Sequence, residues 1–224
     1  MIGFYNYTVI ATYLSLASGV VGILCAAAHH PVIAVFCLMF SGLLDAFDGR
    51  IARTKKDRTV REERFGVQID SFSDLVAFGV LPVMIGYSSA TYYEPMGFKS
   101  PMFYIYAAAG ALYVLGGLIR LSFYNIGEEE SREHPTKPAR KTYTGLPITT
   151  SALIFPVVYL LVYLFNKHTE LIFTIIWTLV MLAVGFCFVG RFHIRKPTNK
   201  QIIMIIALGV VIAVIVGVVH AING

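Results

Sequence analysis

Seven apolar runs alternate with short polar segments along this chain. They lie at roughly residues 7–28, 32–52, 70–87, 102–124, 146–165, 171–190 and 202–222. Each is close to the ~20 residues that a helix needs to cross a bilayer, and a helix satisfies its own backbone hydrogen bonds in lipid. The pattern predicts an all-α, polytopic transmembrane bundle of six to seven spans, the six-span alternative placing the last run along the membrane surface. Because the gaps are short, residues 1–224 are predicted to form a single membrane-embedded domain.

Composition supports this prediction and narrows the possible functions. Hydrophobic residues make up 57% of the chain, charged residues only 14%, and the mean hydropathy is +0.70, which excludes an ordinary soluble domain. The net charge of +5 does not indicate nucleic-acid binding, because the basic residues fall between apolar runs instead of along one amphipathic face. No nucleic-acid partner is therefore expected.

The distribution of basic residues predicts the orientation in the membrane. Sixteen of the 18 Lys and Arg residues lie in or beside segments 53–69, 125–145 and 191–201, and the other two are Lys99 and Lys167. Loops rich in Lys and Arg remain on the cytoplasmic side. We therefore expect a cytoplasmic N-terminus and a cytoplasmic position for the polar segment that follows the second span.

Four aspartates lie at that side of the predicted bundle. Asp45 and Asp48 are three residues apart and Asp70 and Asp74 are four apart, so each pair shares one helix face. One carboxylate at the centre of a bilayer costs about 2.5–3.5 kcal/mol, so four together require positive charge nearby. Two divalent cations such as Mg²⁺ or Mn²⁺ would supply it, since hard cations prefer oxygen ligands and two-metal sites promote phosphoryl displacement.

Two other interpretations of the aspartates remain open. They could pair with Arg50, Arg53 and Arg64 or cap helices, but four at these spacings, beside small residues, favour metal binding. They could also belong to a divalent-cation transporter. A transporter would need polar residues that continue to the outer face, and runs 75–87 and 171–190 contain almost none.

The aspartates belong to a longer pattern, D-x2-D-G-x2-A-R followed by G-x3-D-x3-D. It resembles the signature of the CDP-alcohol phosphatidyltransferase family. All fixed residues are present: Asp45, Asp48, Gly49, Ala52, Arg53, Gly66, Asp70 and Asp74. The spacer of 12 residues between Arg53 and Gly66 is longer than is usual in the family, and we expect its extra residues to lengthen a surface loop.

The resemblance implies a fold, a reaction and roles for these residues. It implies the CDP-alcohol phosphatidyltransferase fold, transfer of a phosphatidyl group from CDP-diacylglycerol to an alcohol, and release of CMP. It implies that Asp74 completes the metal cluster and acts as general base. Contacts with the CDP moiety are assigned to the remaining signature positions: Gly49, Ala52, Arg53 and Gly66. Relatives are commonly homodimers, so a homodimer is expected. The expected location is a bacterial or archaeal cell membrane.

Three downstream strings resemble the serine-using branch of the family. They are Asp74-Leu-Val-Ala-Phe-Gly-Val-Leu-Pro82, Arg120-Leu-Ser-Phe-Tyr-Asn125 and Thr144-Gly-Leu-Pro147. The implied acceptor is L-serine, and sister branches would use glycerol 3-phosphate or inositol phosphate instead. Arg120 could hold the serine carboxylate or a lipid phosphate, or extend to the interface or pair with an aspartate. Asn125 could bind the acceptor or cap a helix.

Hydroxyl side chains form a stripe along the first span. Thr8, Thr12, Ser15 and Ser18 recur every three or four residues, which places them on one helix face. Hydroxyls within membrane helices commonly bond to neighbouring helices, and we favour that role over a wall facing the nucleotide. The mixed-charge segment 128–141 is predicted to be a solvated loop, with a lid or a basic lip that attracts anionic headgroups as the alternatives.

Overall fold

The computed structural model describes residues 3–52, 54, 55, 57–91, 100–133, 142–165, 170–195 and 199–223. Through these residues the chain forms a bundle of α-helices with one small β ladder. The helices are α1 (Ile10–Ala27), α2 (Pro31–Ala52), α3 (Val60–Asp74), α4 (Leu81–Ala90), α5 (Pro101–Glu133), α6 (Ser151–Phe165), α7 (Glu170–Val189) and α8 (Asn199–Asn223). The strands are β1 (Thr142–Thr144) and β2 (His193–Arg195), paired antiparallel.

The helices have the length and composition of membrane spans. Five helical segments in the described ranges are long and apolar enough to cross a bilayer: Tyr7–Ala27, Pro31–Ala52, Val60–Ala90, Pro101–Glu130 and Leu171–Val189. Two shorter apolar helices lie at Ile148–Leu164 and Ile206–Val218. All seven predicted runs are therefore helical, and the predicted polytopic all-α bundle of an integral membrane protein is confirmed.

Two of the predicted loops are partly helical. The spacer from 54 to 65 is not wholly a loop, because α3 begins at Val60, where Thr59 and Glu62 form a capping box. The Thr59 hydroxyl accepts from the Glu62 backbone N–H at 3.2 Å, and the Glu62 carboxylate accepts from the Thr59 N–H at 2.8 Å. Such reciprocal bonds fix a helix start. Hydropathy marks where a helix enters lipid and does not register a polar turn before it.

The segment 128–141 is likewise not a loop throughout, since α5 continues to Glu133. The remaining residues 134–141 lie outside the described ranges. The β ladder was not expected from the sequence either, because its strands are only three residues long and carry little pattern. It joins the segment before α6 to the segment after α7.

A π-helical segment, Leu75–Val80, connects α3 to α4 in one continuous helical body. In an α-helix the Phe78 carbonyl would accept from the backbone N–H of residue 82, but Pro82 has no N–H. The Tyr113 hydroxyl replaces that donor, at 2.6 Å from the Phe78 oxygen. Trp177 donates to the Pro82 carbonyl at 3.1 Å and Tyr106 to the Val83 carbonyl at 2.7 Å. The aromatic side chains of α5 and α7 thus hold the π-helical segment and α4 in position through hydrogen bonds.

Close helix contacts at glycines complete the packing of the bundle. A Cβ on Gly116 of α5 would lie 2.8 Å from the Gly185 carbonyl oxygen of α7, and one on Gly185 would lie 3.1 Å from the Tyr113 Cα. Small residues allow helix backbones to approach this closely in membranes. The pair α5 and α7 therefore forms a rigid support behind the helical body that carries Asp70 and Asp74.

Candidate active site

The ends of α2 and α3 bring the predicted carboxylates together. Asp45, Asp70 and Asp74 each place one carboxylate oxygen within 4.8 Å of the others. α2 carries Asp45 in its penultimate turns, and α3 ends at Asp74. Aspartates from two separate segments of the sequence thus meet at one place in the fold.

The fourth aspartate joins the cluster through Asp70. The carboxyl of Asp48 lies next to that of Asp70, and the carboxyl of Asp45 lies next to that of Asp74. The Thr12 hydroxyl of α1 donates to Asp48 at 3.4 Å. Because two carboxylates repel each other at such distances, a proton or a cation must lie between them.

The donor set fits a hard divalent cation. It consists of carboxylate oxygens alone, which Mg²⁺ and Mn²⁺ favour over nitrogen or sulfur. Asp48 and Asp74 are only 9% and 7% exposed, so the charge cannot be dispersed into water. Arg64, one of the arginines that could have neutralised the cluster, instead lies 3.3 Å from Glu129, whereas Arg53 lies outside the described residues.

The small signature residues leave space beside the cluster. Gly49 is exposed, and a Cβ built on it would meet no atom within 4 Å. Ala52 is half-buried at the end of α2. A Cβ on Gly66 would lie 2.8 Å from an Nη atom of Arg58. The face of α2 at Gly49 is therefore bare enough for a ligand to approach the backbone, whereas the space beside Gly66 holds the Arg58 guanidinium.

A cavity of about 600 Å³ opens on the other side of the cluster. Asp45, Asp74 and Arg120 lie on its polar wall, and the rest is largely apolar. The lining also includes Tyr124, Thr149 and Thr150, together with Phe36, Met39, Phe40, Leu153, Ile206 and Val210 from α2, α6 and α8. Of the four aspartates, Asp45 and Asp74 therefore face the cavity, while Asp48 faces α1.

Arg120 is held in place at the cavity by the turn before α6. Its side chain is buried, 6% exposed, and its Nε donates to the Leu146 carbonyl at 3.2 Å. The guanidinium carbon lies 5.6 Å from the centre of the Tyr124 ring, a cation–π distance. Two backbone hydrogen bonds hold this turn: the Gly145 N–H donates to the Phe192 carbonyl at 2.8 Å, and the Leu146 N–H donates to the Cys187 carbonyl at 3.1 Å.

Gly145 is required for that turn. Its φ is +77°, and an added Cβ would lie 2.7 Å from the Phe188 carbonyl oxygen. Only glycine takes up this backbone conformation without strain. The Gly-Leu-Pro string of the sequence therefore shapes the cavity wall beside Arg120: Gly145 permits the turn, the Leu146 carbonyl accepts from Arg120, and Pro147 lines the wall.

Asn125 is not among the residues that line the cavity. Its amide group exchanges hydrogen bonds with the Ser71 hydroxyl at 2.9 and 3.1 Å. Ser71 follows Asp70 directly, and the Val67 carbonyl, 3.0 Å from its hydroxyl, shares the single hydroxyl proton with the Asn125 oxygen. Asn125 thus connects α5 to the helix turn that carries Asp70.

Three of the four residues of the hydroxyl stripe, Thr12, Ser15 and Ser18, form the expected cross-helix hydrogen bonds, whereas the Thr8 hydroxyl bonds to the nearby Asn6. Ser18 donates to the Cys37 carbonyl at 2.9 Å, and Ser15 and Ser41 each donate to the other's carbonyl at 3.3 and 3.0 Å. Thr12 is the member that reaches the aspartates. The sequence did not single it out, because its periodicity is the same as that of its neighbours on the stripe.

Comparison with known proteins places this site in a family. Residues 5–222 match the model of the CDP-alcohol phosphatidyltransferase family. The chain belongs to this family, and it is an integral membrane enzyme that transfers substituted phosphate groups. The family resemblance that the eight signature residues indicated is thereby confirmed, and it extends over nearly the whole chain.

Curated relatives indicate the branch. The CDP-diacylglycerol–serine O-phosphatidyltransferase of Helicobacter pylori is 31% identical over 205 residues, covering 88% of this chain and 74% of the relative. The protein of the same name from Bacillus subtilis is 31% identical over 168 residues, covering 75% of this chain and 73% of the relative. The archaetidylserine synthase of Methanothermobacter thermautotrophicus is 31% identical over 147 residues, covering 66% and 54%.

Proposed function

We propose that this enzyme transfers the phosphatidyl group of CDP-diacylglycerol to the hydroxyl of L-serine, forming phosphatidylserine and CMP. The observation that carries the proposal is the cavity that Asp74 shares with the buried Arg120. A carboxylate and a fixed guanidinium on one wall suit an acceptor with a hydroxyl and a carboxylate of its own. The names of the curated relatives support serine as that acceptor.

Asp45, Asp48, Asp70 and Asp74 hold two divalent cations, Mg²⁺ or Mn²⁺. These cations supply charge neutralisation for the phosphates of the donor and for the charge that develops during transfer. The closeness of the four carboxyls to one another supports this assignment.

Asp74 acts as the general base. Its carboxylate accepts the proton of the serine hydroxyl, and the serine oxygen forms a bond to the phosphorus that carries the diacylglycerol. The bond from that phosphorus to the CMP oxygen breaks, so that CMP leaves on the side opposite the acceptor. The location of Asp74 on the cavity wall and its burial support this role over Asp48, which faces α1.

The two sides of the aspartate cluster receive different substrates. The donor's CDP moiety lies on the side of the cluster formed by Gly49, Ala52 and Gly66, with Arg53 as a further contact. Serine lies in the cavity, where Arg120 binds its carboxylate. Asn125 supports the helix turn that carries Asp70 through its hydrogen bonds with Ser71. The diacylglycerol chains remain among the membrane lipids.

The setting of the enzyme follows from the same proposal. The aspartate cluster faces the cytoplasm of a bacterial or archaeal cell, where serine and CDP-diacylglycerol meet, and the N-terminus is cytoplasmic. Residues 1–224 act as one membrane-embedded domain, and two copies associate as a homodimer. The count of basic residues on each side of the membrane supports the orientation.

An acceptor screen tests the proposal. Purified protein in detergent receives Mg²⁺ or Mn²⁺ and CDP-diacylglycerol, together with L-serine, glycerol 3-phosphate or inositol phosphate. Phosphatidylserine and an equal amount of CMP are expected with serine alone. A product with a phosphorylated acceptor would move the enzyme to a sister branch. Uptake of Mn²⁺ by protein-containing liposomes that lack CDP-diacylglycerol would support the transporter alternative instead.

A further inference from the structure

The guanidinium of Arg58 lies against two of the small signature residues. Its Nη1 donates to the Ala52 carbonyl at 3.4 Å, and its Nη2 lies 2.8 Å from the position where a Cβ on Gly66 would be. Arg58 is in the spacer that is longer than usual for the family. The absence of a side chain at Gly66 therefore leaves the space that this guanidinium occupies.

This position is one helical turn outside the aspartate cluster on both helices. Ala52 follows Asp48 by four residues, and Gly66 precedes Asp70 by four. Residues four apart lie on the same face, separated by about 5.4 Å along the axis. The Arg58 guanidinium thus lies above the Asp48 and Asp70 side of the cluster, away from the cavity that contains Asp74 and Arg120.

The hydrogen bonding of Arg58 is incomplete. Its Nε is buried and has no hydrogen-bond partner among the described residues. Its Nη bonds are long, 3.4 Å to the Ala52 carbonyl and 3.5 Å to the Glu62 carbonyl. The Glu62 carboxylate is engaged elsewhere, by Lys55 at 2.8 Å and Asn6 at 3.1 Å. A half-buried guanidinium whose Nε is buried without a partner is poorly satisfied by the protein alone.

We infer that Arg58 binds the phosphate group next to cytidine in the donor and in CMP. The inference rests on the proposed function and adds a residue from outside the family signature to the nucleotide side. A guanidinium presents its Nε and Nη donors as a fork that matches two phosphate oxygens. A phosphate held at the aspartates and extending one turn along α2 and α3 reaches that fork, and it would satisfy the Nε that the chain leaves without a partner.

Direct binding of soluble nucleotides tests this role. Cytidine, CMP and CDP are titrated calorimetrically into purified enzyme with Mg²⁺ for the wild type, Arg58→Gln and Arg58→Lys. Arg58→Gln is expected to weaken CMP and CDP binding about 10- to 100-fold, the effect of losing charge-assisted hydrogen bonds, and to leave cytidine binding unchanged. Arg58→Lys should be intermediate, because it keeps the charge but loses the fork.

Arg61→Gln is the matched control, since Arg61 is an exposed arginine three residues further along. It should leave all three affinities unchanged. Unchanged CMP and CDP affinities in Arg58→Gln would overturn the inference while the proposed function stands. Equal loss of cytidine, CMP and CDP binding, with a lower unfolding temperature, would also overturn it, because Arg58 would then be a clamp between α2 and α3. A wild-type enzyme that binds no cytidine nucleotide would refute the proposed function itself.

Discussion

The aromatic region around Pro82 and the aspartate cluster bury polar atoms in opposite ways. Around Pro82, carbonyl oxygens receive side-chain donors: Tyr113 reaches Phe78, and Trp177 reaches Pro82 itself. In the aspartate cluster, acceptors face acceptors. The π-helical segment 75–80 connects Asp70 and Asp74 of the cluster to Pro82, so these three residues lie on one helical body.

The two regions differ in how their polar atoms are satisfied. In the aromatic region the chain supplies the donors itself, since the Phe78 carbonyl, which lacks a donor at Pro82, accepts from Tyr113. In the aspartate cluster every carboxylate is an acceptor when ionised, so a proton or a cation must supply the positive charge. We therefore expect substitutions in the first region to change stability and substitutions in the second to change activity and metal dependence.

Asp74→Asn should have the largest effect on activity. The amide keeps the size of the side chain but cannot accept the serine proton, and loss of a general base lowers turnover by roughly 10²–10⁴-fold. The variant should fold at least as stably, because one of the repelling carboxylates is removed. Phosphatidylserine formation and thermal unfolding in detergent measure the two quantities. Turnover close to that of the wild type would remove Asp74 from the base role.

Removal of divalent cations should abolish activity and lower stability. Chelation leaves the carboxylates uncompensated, and restoring the cation at 100 times its dissociation constant would stabilise the fold by about 2.7 kcal/mol. Unfolding temperatures with and without Mg²⁺ measure the effect. The variant Asp45→Asn/Asp70→Asn should lose this dependence on Mg²⁺, whereas Tyr113→Phe should keep it. Equal dependence in both variants would place the cation away from the aspartates.

Thr12→Val should weaken the metal site moderately. It keeps the shape of the side chain and removes the hydroxyl that donates to Asp48 at 3.4 Å. Loss of such an outer contact typically lowers metal affinity 10- to 100-fold, and the long distance favours about tenfold. The Mg²⁺ concentration for half-maximal activity is the readout. Ser18→Ala, which removes a bond to the Cys37 carbonyl on the same stripe, should leave that concentration unchanged.

Tyr113→Phe should lower stability by about 1 kcal/mol, in the range measured for hydrogen bonds within membrane helices. The Phe78 carbonyl would lose its replacement donor, and the Ser151 hydroxyl, 2.8 Å away, would lose a partner. Activity per folded molecule should remain near that of the wild type. A large fall in activity at unchanged stability would contradict the separation of the two regions and would imply that the helix continuing from Asp74 had moved.

Lys55→Met should have the smallest effect. Hydrogen bonding to Glu62 raises the pKa of Lys55 above its ordinary value, so the folded state holds that proton more tightly. The contribution is fully present below the unfolded lysine pKa and is lost as pH rises through the folded one. The variant should therefore show a slight, salt-sensitive loss of thermal stability at neutral pH and no loss at pH above the folded value. A fall in turnover would connect the spacer to catalysis through Lys55.

The helices and the aspartate cluster could be predicted from the sequence because both rest on local rules. Apolar runs near 20 residues have one stable form in lipid, which fixed the number of apolar helices. The spacings of Asp45 with Asp48 and of Asp70 with Asp74 fixed a shared face for each pair. The burial cost of four carboxylates then predicted a cation, and the family signature supplied the class of reaction.

Only the tertiary structure decided which side of the cluster each residue serves. Asp74 and Arg120 are 46 positions apart in the chain and line one cavity, while Asn125, five positions further, bonds to Ser71 instead. Local periodicity gives the face of one helix, but the contact between faces depends on packing of α1, α5 and α6 around the π-helical segment. For the same reason, the nearness of Arg58 to Gly66 came only from the fold, since the path of a polar spacer is set by its distant hydrogen bonds and not by its hydropathy.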